Sequence, residues 1–90
     1  MAQIRIPTAL RSYVNGQEKV EVAGSTVGAA LNDLTSQYPD LKQHLYNDGQ
    51  LRSFVNVFLG EEDIRYLDGT DTELPDNAQL MIIPSIAGGR

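Results

Sequence analysis

The chain has 90 residues, of which 41% are hydrophobic and 21% charged, with no cysteine and a formal net charge of −5. This length predicts one compact unit with a single core, and the composition lies far from the low-apolar, high-charge balance of disordered chains. The lack of cysteine excludes disulfides, thiolate zinc sites and thiol catalysis, while the scattered basic residues make nucleic acid and anionic membranes poor partners.

The N-terminal segment predicts a β-hairpin with a long connection. Residues 3–7 and 19–22 alternate polar and apolar side chains, and Asn15-Gly16 lies between the two runs. Pro7 indicates a strand end or an edge strand, because proline cannot donate a ladder hydrogen bond. The length between the runs predicts a turn looser than two residues.

A helix follows the hairpin. Gly24-Ser25-Thr26 offers an N-cap, and apolar residues then recur at helical spacing at Val27, Leu31, Leu34 and Tyr38. Pro39 disfavours helical geometry at the preceding residue, so the helix should end there after about three turns. Gly28 within it predicts the close approach of a strand.

The second half of the chain reads mainly as strands. Residues 40–50 predict a short helical turn followed by a loop, residues 64–67 a short strand and residues 75–77 a turn. Residues 54–59 predict a strand with Val55, Val57 and Leu59 on one face and Phe54, Asn56 and Phe58 on the other. The final strand, 79–84, is apolar on both faces, which favours a buried central position with parallel pairing.

This order of elements predicts an α+β fold, with a mixed sheet of four to five strands packed on one main helix. Residues 1–84 are expected to form the domain, and residues 85–90 a flexible tail. With no signal-peptide core and no long apolar run, we expect a soluble cytoplasmic protein.

Candidate catalytic chemistry is sparse. His44 is the single histidine, no serine lies in a nucleophile elbow, and no metal-ligand or phosphate-binding spacing occurs. We therefore expect no catalytic residues, no metal site and no bound cofactor. Acidic residues concentrate between positions 61 and 76, which fits either a solvated rim or a surface that attracts a basic partner.

The C-terminal segment is small and unbranched. After Pro84 and Ile86, the chain ends in Ala87-Gly88-Gly89-Arg90. Two glycines can enter a narrow enzyme channel in which any Cβ would clash, so the tail itself is a candidate functional group. A frayed terminus has the same composition, and the tail alone does not separate the two interpretations.

The whole chain resembles the ThiS/MoaD family of ubiquitin-like sulfur carriers, which have the β-grasp fold. Four segments carry the resemblance: IPTAL at 6–10, GSTVGA at 24–29, FVNVF at 54–58 and IPSIAGG at 83–89. Each is unspecific, but their order is typical of the family. The segments are most similar to the CysO-type branch, which supplies sulfur for a route to cysteine.

The resemblance implies a mechanism in which the chain is a cosubstrate and not an enzyme. An E1-like adenylyltransferase uses ATP to adenylate the terminal glycine, and sulfide or a persulfide then displaces AMP to leave a thiocarboxylate. In the cysteine branch, a pyridoxal-phosphate synthase consumes this sulfur and a JAMM-type metallopeptidase releases cysteine. The implied partners are therefore enzymes.

By this resemblance Gly89 carries the sulfur and Gly88 gives the tail access to the enzyme. Phe54, Phe58 and Ile86 are the implied partner contacts. The family's mature chains end at Gly-Gly, whereas Arg90 follows here. Either a peptidase cleaves between Gly89 and Arg90, or Arg90 comes from the expression vector.

Two other functions fit the same pattern. A ubiquitin-like modifier would be conjugated through Gly89 to lysines of other proteins. A β-grasp binding module would keep its activity without the last three residues.

Overall fold

The computed structural model describes residues 1–52 and 55–84. The helices are α1 (Val27–Gln37) and α2 (Pro39–Leu45), and 3-10 helices occupy Thr8–Val14, Ile64–Tyr66 and Gly69–Asp71. The strands are β1 (Ala2–Arg5), β2 (Lys19–Val22), β3 (Tyr46–Asn47), β4 (Gln50–Leu51), β5 (Val55–Leu59), β6 (Glu62–Asp63) and β7 (Gln79–Pro84).

The N-terminal hairpin is confirmed. Strands β1 and β2 pair antiparallel with Ile4 opposite Val20. Their connection contains the 3-10 helix Thr8–Val14, which begins directly after Pro7 and buries Val14 completely. Pro7 therefore marks a strand end, since β1 lies between two other strands and is not an edge.

The main helix is confirmed at both ends. The Thr26 Oγ1 accepts a hydrogen bond from the Ala29 amide at 3.1 Å, a cap that contributes about 1 kcal/mol. Helix α1 ends at Gln37, before Pro39. Its buried apolar side chains share one core with one face of the sheet. The buried residues of α1 are Val27, Ala30, Leu31, Leu34 and Thr35.

The final strand is central but not buried on both faces. In the five-stranded sheet of order β2-β1-β7-β5-β6, β7 has the predicted central position and the predicted parallel pairing, which is with β1, and it runs antiparallel to β5. Leu80 and Ile82 are buried, whereas Met81 is half-buried and Ile83 is 39% exposed. The prediction of a fully buried strand is wrong because the helices join the core on one face of the sheet only.

The segment predicted as a strand at 64–67 is instead a 3-10 helix. The Asp63 carboxylate accepts a hydrogen bond from the Arg65 amide at 2.9 Å and turns the chain out of the short strand β6. Ile64 then enters the core with 4% of its surface exposed.

Residues 40–50 are also more ordered than predicted. Helix α2 extends to Leu45, and β3 and β4 form a small hairpin in which Asn47 pairs with Gln50. Asp48 and Gly49 both have positive φ, at 54° and 80°, which is the geometry of a two-residue hairpin turn.

The close approach at Gly28 comes from a 3-10 helix and not from a strand. A Cβ added to Gly28 would lie 3.1 Å from the Thr70 carbonyl oxygen, in the segment Gly69–Asp71. The small residue thus lets this connection pack against α1.

The edge strand β2 is covered by side chains of α1. The Ala23 amide donates to Asp33 Oδ2 at 3.0 Å, and Gln37 Nε2 donates to the Glu21 carbonyl at 3.1 Å. These bonds occupy outward-facing backbone groups that another strand would otherwise pair with.

Replacing Gly24 with alanine is expected to destabilise the fold strongly. Gly24 has a φ of +149°, and an added Cβ would lie 2.7 Å from the Ala30 amide nitrogen at the start of α1. We expect Gly24→Ala to lower the free energy of unfolding by about 2–4 kcal/mol in urea titrations, since backbone must move.

The matched control is Gly16→Ala, where φ is +77° but nothing lies within 4 Å of the added Cβ. In this variant the free energy of unfolding should fall by only about 1–2 kcal/mol, which is the cost of a Cβ in a left-handed backbone conformation. Equal losses for the two variants would contradict the close contact at Gly24.

Candidate functional site

The sheet face opposite the helices carries three apolar side chains, Phe58, Met81 and Ile83, which we call the face cluster. Phe58 lies directly opposite Met81 in the β5–β7 pairing, and Asn56 lies opposite Ile83. Side chains directly opposite across antiparallel strands are about 5 Å apart at Cβ, so these residues form one continuous surface. The cluster is exposed enough to contact a partner, since Ile83 is 39% exposed and Phe58 and Met81 are half-buried.

Polar and charged side chains flank the face cluster. Arg5 lies opposite Met81 on one side and opposite Lys19 on the other. Arg5 also contacts Glu18 at 3.3 Å, and because both side chains are more than half exposed this ion pair adds little stability. An apolar centre with a charged margin is the usual anatomy of a protein interface.

The face cluster adjoins the base of the C-terminal tail. Strand β7 ends at Pro84, which is paired with Val55, the first residue of β5. Ile83 immediately precedes Pro84, so a partner seated on the face cluster would lie beside the point where the tail begins.

Of the side chains predicted as functional, only Phe58 lies within the described residues, and it faces the open side of the sheet. Phe54, Ile86, Gly88, Gly89 and Arg90 lie outside the described residues. Their predicted roles therefore remain predictions.

Met81 and Ile83 are surface residues that the apolar pattern of β7 does not reveal. Because β7 is apolar at every position from Leu80 to Ile83, the pattern predicts that both of its faces are buried. The available signal was the single long helix, since one helical layer can cover only one face of a five-stranded sheet.

The described residues present no catalytic arrangement. His44 is half-buried and stacks on Tyr13 with ring centroids 4.3 Å apart, which places it at the boundary of the core. Within residues 1–52 and 55–84, no three histidine or carboxylate side chains are grouped to hold a metal ion. None of the helices described is long and apolar enough to cross a membrane.

A surface pocket of about 380 Å³ lies beside β5. Among the described residues, its polar lining consists of Arg52, Arg65 and Thr70, with neither a carboxylate nor an imidazole. The Arg52 guanidinium donates to the Gln43 carbonyl, and Arg65 Nη2 donates to the Val55 carbonyl at 3.3 Å. Both arginines thus bond to the backbone.

Within the described part of the chain, the hydroxyl of Tyr46 is a titratable group that its surroundings perturb. Burial raises the pKa of the Tyr46 hydroxyl above its usual value of 10.0. Tyr46 belongs to the β3–β4 hairpin and packs against the core, away from the face cluster. Its pKa shift is therefore a consequence of packing.

Comparison with known proteins identifies the family. Residues 4–89 match the model of the ThiS family. The chain belongs to the ThiS family. Among its curated relatives, the sulfur carrier protein CysO of Mycobacterium tuberculosis is 36% identical over 89 residues, covering 96% of each chain. Small archaeal modifier protein 3 of Haloferax volcanii is 35% identical over 65 residues, covering 72% of this chain and 71% of the relative.

A solved structure confirms the fold of this ThiS-family chain. The crystal structure of the Amycolatopsis orientalis BexX/CysO complex contains a chain that superposes with a TM-score of 0.89 at 35% identity. The match covers 99% of this chain and 100% of the other. The predicted ubiquitin-like β-grasp fold and the resemblance to CysO-type carriers are both confirmed.

Proposed function

We propose that this chain is a sulfur-carrier protein whose working group is the carboxylate of Gly89. The observation that carries the proposal is the family match, which extends through Gly89. The relative that is 36% identical over nearly the whole chain is named as a sulfur carrier. A protein of this kind needs no catalytic side chain, because its reacting group is the carboxylate of its own tail.

The proposed chemistry takes place at the carbonyl carbon of Gly89. An E1-like adenylyltransferase joins the Gly89 carboxylate to the α-phosphate of ATP and releases pyrophosphate. Sulfide then attacks the same carbon, the new C–S bond forms, the bond to AMP breaks, and a thiocarboxylate remains. Adenylation is needed because a free carboxylate is a poor electrophile. The chain contributes a tethered nucleophile, and ATP is used by the partner.

The domain fixes the point from which the tail begins, at Pro84. Strand β7 pairs with β1 as far as Met81 and with β5 as far as Pro84, so the base of the tail is attached to the sheet by the pairing of Pro84 with Val55. From there the five residues Ser85 to Gly89 reach at most about 18 Å when fully extended. Gly88 and Gly89, which carry no Cβ, suit a narrow channel over that distance.

The face cluster is the proposed docking surface for the activating enzyme. Phe58, Met81 and Ile83 supply exposed apolar area next to Pro84, and Phe54 and Ile86 are proposed to extend this contact. Because the tail is short, an enzyme that holds Gly89 must also lie against the domain. The face cluster is the apolar surface that lies beside the tail's point of departure.

Cysteine biosynthesis is the proposed destination of the sulfur, on the strength of the CysO similarity. The further partners would then be a pyridoxal-phosphate cysteine synthase and a JAMM-type metallopeptidase. The relative of known structure was crystallised in a complex with a second protein, BexX. That complex supports a role in which the domain acts by binding other proteins.

Arg90 must be removed before Gly89 reacts. As written, the Gly89 carbonyl is part of the peptide bond to Arg90 and has no free carboxylate. We propose that a peptidase cleaves this bond.

A ubiquitin-like modifier is the second candidate. The similarity to small archaeal modifier protein 3 favours it, since that relative is 35% identical over 65 residues. Both functions start from the same adenylate and differ in the nucleophile, which is sulfide for a carrier and a lysine amine for a modifier.

The intact mass of the untagged protein isolated from its native host tests the proposal. Loss of the arginine residue, together with replacement of one oxygen by sulfur, is the expected result. Isopeptide-linked Gly-Gly remnants on other proteins, without thiocarboxylate, would instead support the modifier. A chain that keeps Arg90 and carries no sulfur would contradict both functions and favour a binding module.

A further inference from the structure

Tyr66 is unusually exposed for an aromatic residue of a small domain. Its exposed fraction is 85%, whereas Tyr13, Tyr38 and Tyr46 pack against the core. Leu67 follows it and is 36% exposed. Tyrosine contributes a large, rigid contact area with a polar tip, which makes it frequent at the centres of protein interfaces.

The backbone that presents Tyr66 is held firmly on its N-terminal side. The Asp63 carboxylate caps the Arg65 amide at 2.9 Å, and the Leu67 amide donates to the Ile64 carbonyl at 2.9 Å. Ile64 anchors this turn in the core.

The C-terminal side of the turn is also anchored. The buried Thr72 hydroxyl donates to the Gly69 carbonyl at 2.7 Å and accepts from the Asp68 amide at 3.0 Å. The Thr72 carbonyl in turn accepts from the Val27 amide, at the first residue of α1. Tyr66 therefore projects from an ordered support, which lowers the entropy cost of binding.

The segment that contains Tyr66 is strongly acidic in sequence. Arg65 is the one basic residue between positions 61 and 76, and its Nη2 bonds to the Val55 carbonyl. Seven carboxylates lie in the same stretch: Glu61, Glu62, Asp63, Asp68, Asp71, Glu73 and Asp76. This charge is complementary to a basic protein surface, and such pairing speeds encounter.

Tyr66 and Leu67, with the carboxylates of Asp63, Asp68 and Asp71, form what we call the edge epitope. It lies beyond β5 at the side of the sheet, whereas the face cluster lies on the open face. The residue before Tyr66 reaches the strand that carries the base of the tail, since Arg65 Nη2 donates to the carbonyl of Val55, which is paired with Pro84. The edge epitope and the face cluster are therefore two chemically different surfaces that both adjoin β5.

We propose that the edge epitope is a second docking surface, and that its occupant is the enzyme that takes sulfur from Gly89. This inference rests on the proposed function, since a carrier must present the same tail first to an activating enzyme and then to an acceptor. The fitting partner surface is basic and contains an apolar pocket for the Tyr66 ring. An acidic, salt-sensitive contact suits a short-lived transfer complex.

Binding of the chain ending at Gly89 to the sulfur-accepting enzyme of the same organism tests the proposal, measured by titration calorimetry. Tyr66→Ala is expected to raise the Kd by about 10–100-fold, and Tyr66→Phe to stay within about 2-fold because the ring is kept. The double variant Asp68→Asn, Asp71→Asn should weaken binding at low salt and flatten its salt dependence. The matched control is the double variant Asp40→Asn, Asp48→Asn, which neutralises exposed carboxylates on α2 and in the β3–β4 turn. It should change neither the Kd nor the salt dependence of binding.

Activation is measured on the same variants to separate the two surfaces. Tyr66→Ala should release pyrophosphate at the wild-type rate with the E1-like enzyme. Equal Kd values for Tyr66→Ala and the wild type would overturn the proposal, as would an activation defect as large as the binding defect. A wild-type chain that gains no sulfur but still binds through Tyr66 would overturn the proposed function and leave the docking surface standing.

Discussion

A chain that ends at Gly89 is expected to gain sulfur in the presence of ATP, sulfide and the E1-like enzyme, whereas the chain ending at Arg90 is not. In the longer chain the terminal carboxylate belongs to Arg90, which has a long side chain. This carboxylate would lie one residue too far along the channel of the activating enzyme. We expect pyrophosphate release to fall by at least about 100-fold, since a misplacement of about 1 Å already costs that much. Intact mass provides the second readout.

A substitution at Gly88 tests whether the channel of the activating enzyme excludes larger side chains. In the chain ending at Gly89, Gly88→Val should abolish activation because a branched side chain cannot pass a channel shaped for glycine. Ala87→Gly, one residue earlier, is the matched control and should be activated normally. Equal activation of the Gly89-ending and Arg90-ending chains would contradict the assignment of Gly89 as the reacting residue.

The second large effect is expected on the open face of the sheet. Ile83→Asp places a carboxylate in the centre of the proposed contact with the activating enzyme, where its burial without a partner is costly. We expect kcat/KM for pyrophosphate release to fall by about 100-fold, equivalent to about 2.8 kcal/mol. Because Ile83 is already 39% exposed, the domain itself should lose only about 1 kcal/mol of stability.

Asn32→Asp is the control for this experiment. It introduces the same charge at an exposed position of α1, on the opposite side of the sheet. Activation at the wild-type rate by Ile83→Asp, with Asn32→Asp equally active, would show that the activating enzyme binds elsewhere. Urea titration of both variants separates a lost contact from a lost fold.

The fold could be predicted largely from local signals. Thr26 and Pro39 mark the two ends of α1, because a capping hydroxyl and a ring without an amide act within one turn of the chain. The hairpin of β1 and β2 follows from apolar alternation, and the strand at β7 follows from a short, continuous apolar run. These elements depend on neighbours a few residues apart.

The errors fall in short segments, where a single turn and the pairing already present in the sheet decide the outcome. Residues 64–67 have the composition of a strand, but β5 is already paired with β7 on one side and the Asp63 cap turns the chain toward the core. Asp48-Gly49 carried a hairpin signal whose partner strands are only two residues each, too short for alternation to show. Both segments take their form from the surfaces they pack against.

The sequence by itself determined that this protein has one small core, one main helix, a central last strand and a Gly-Gly tail, because spacing and composition specify these directly. Only the tertiary structure decided which apolar residues remain in contact with water. Met81 and Ile83 are as apolar as Leu80 and Ile82, yet the helices lie against one face of the sheet and leave the other open. Burial is a property of the assembled layers, so no local pattern could separate the docking surface from the core.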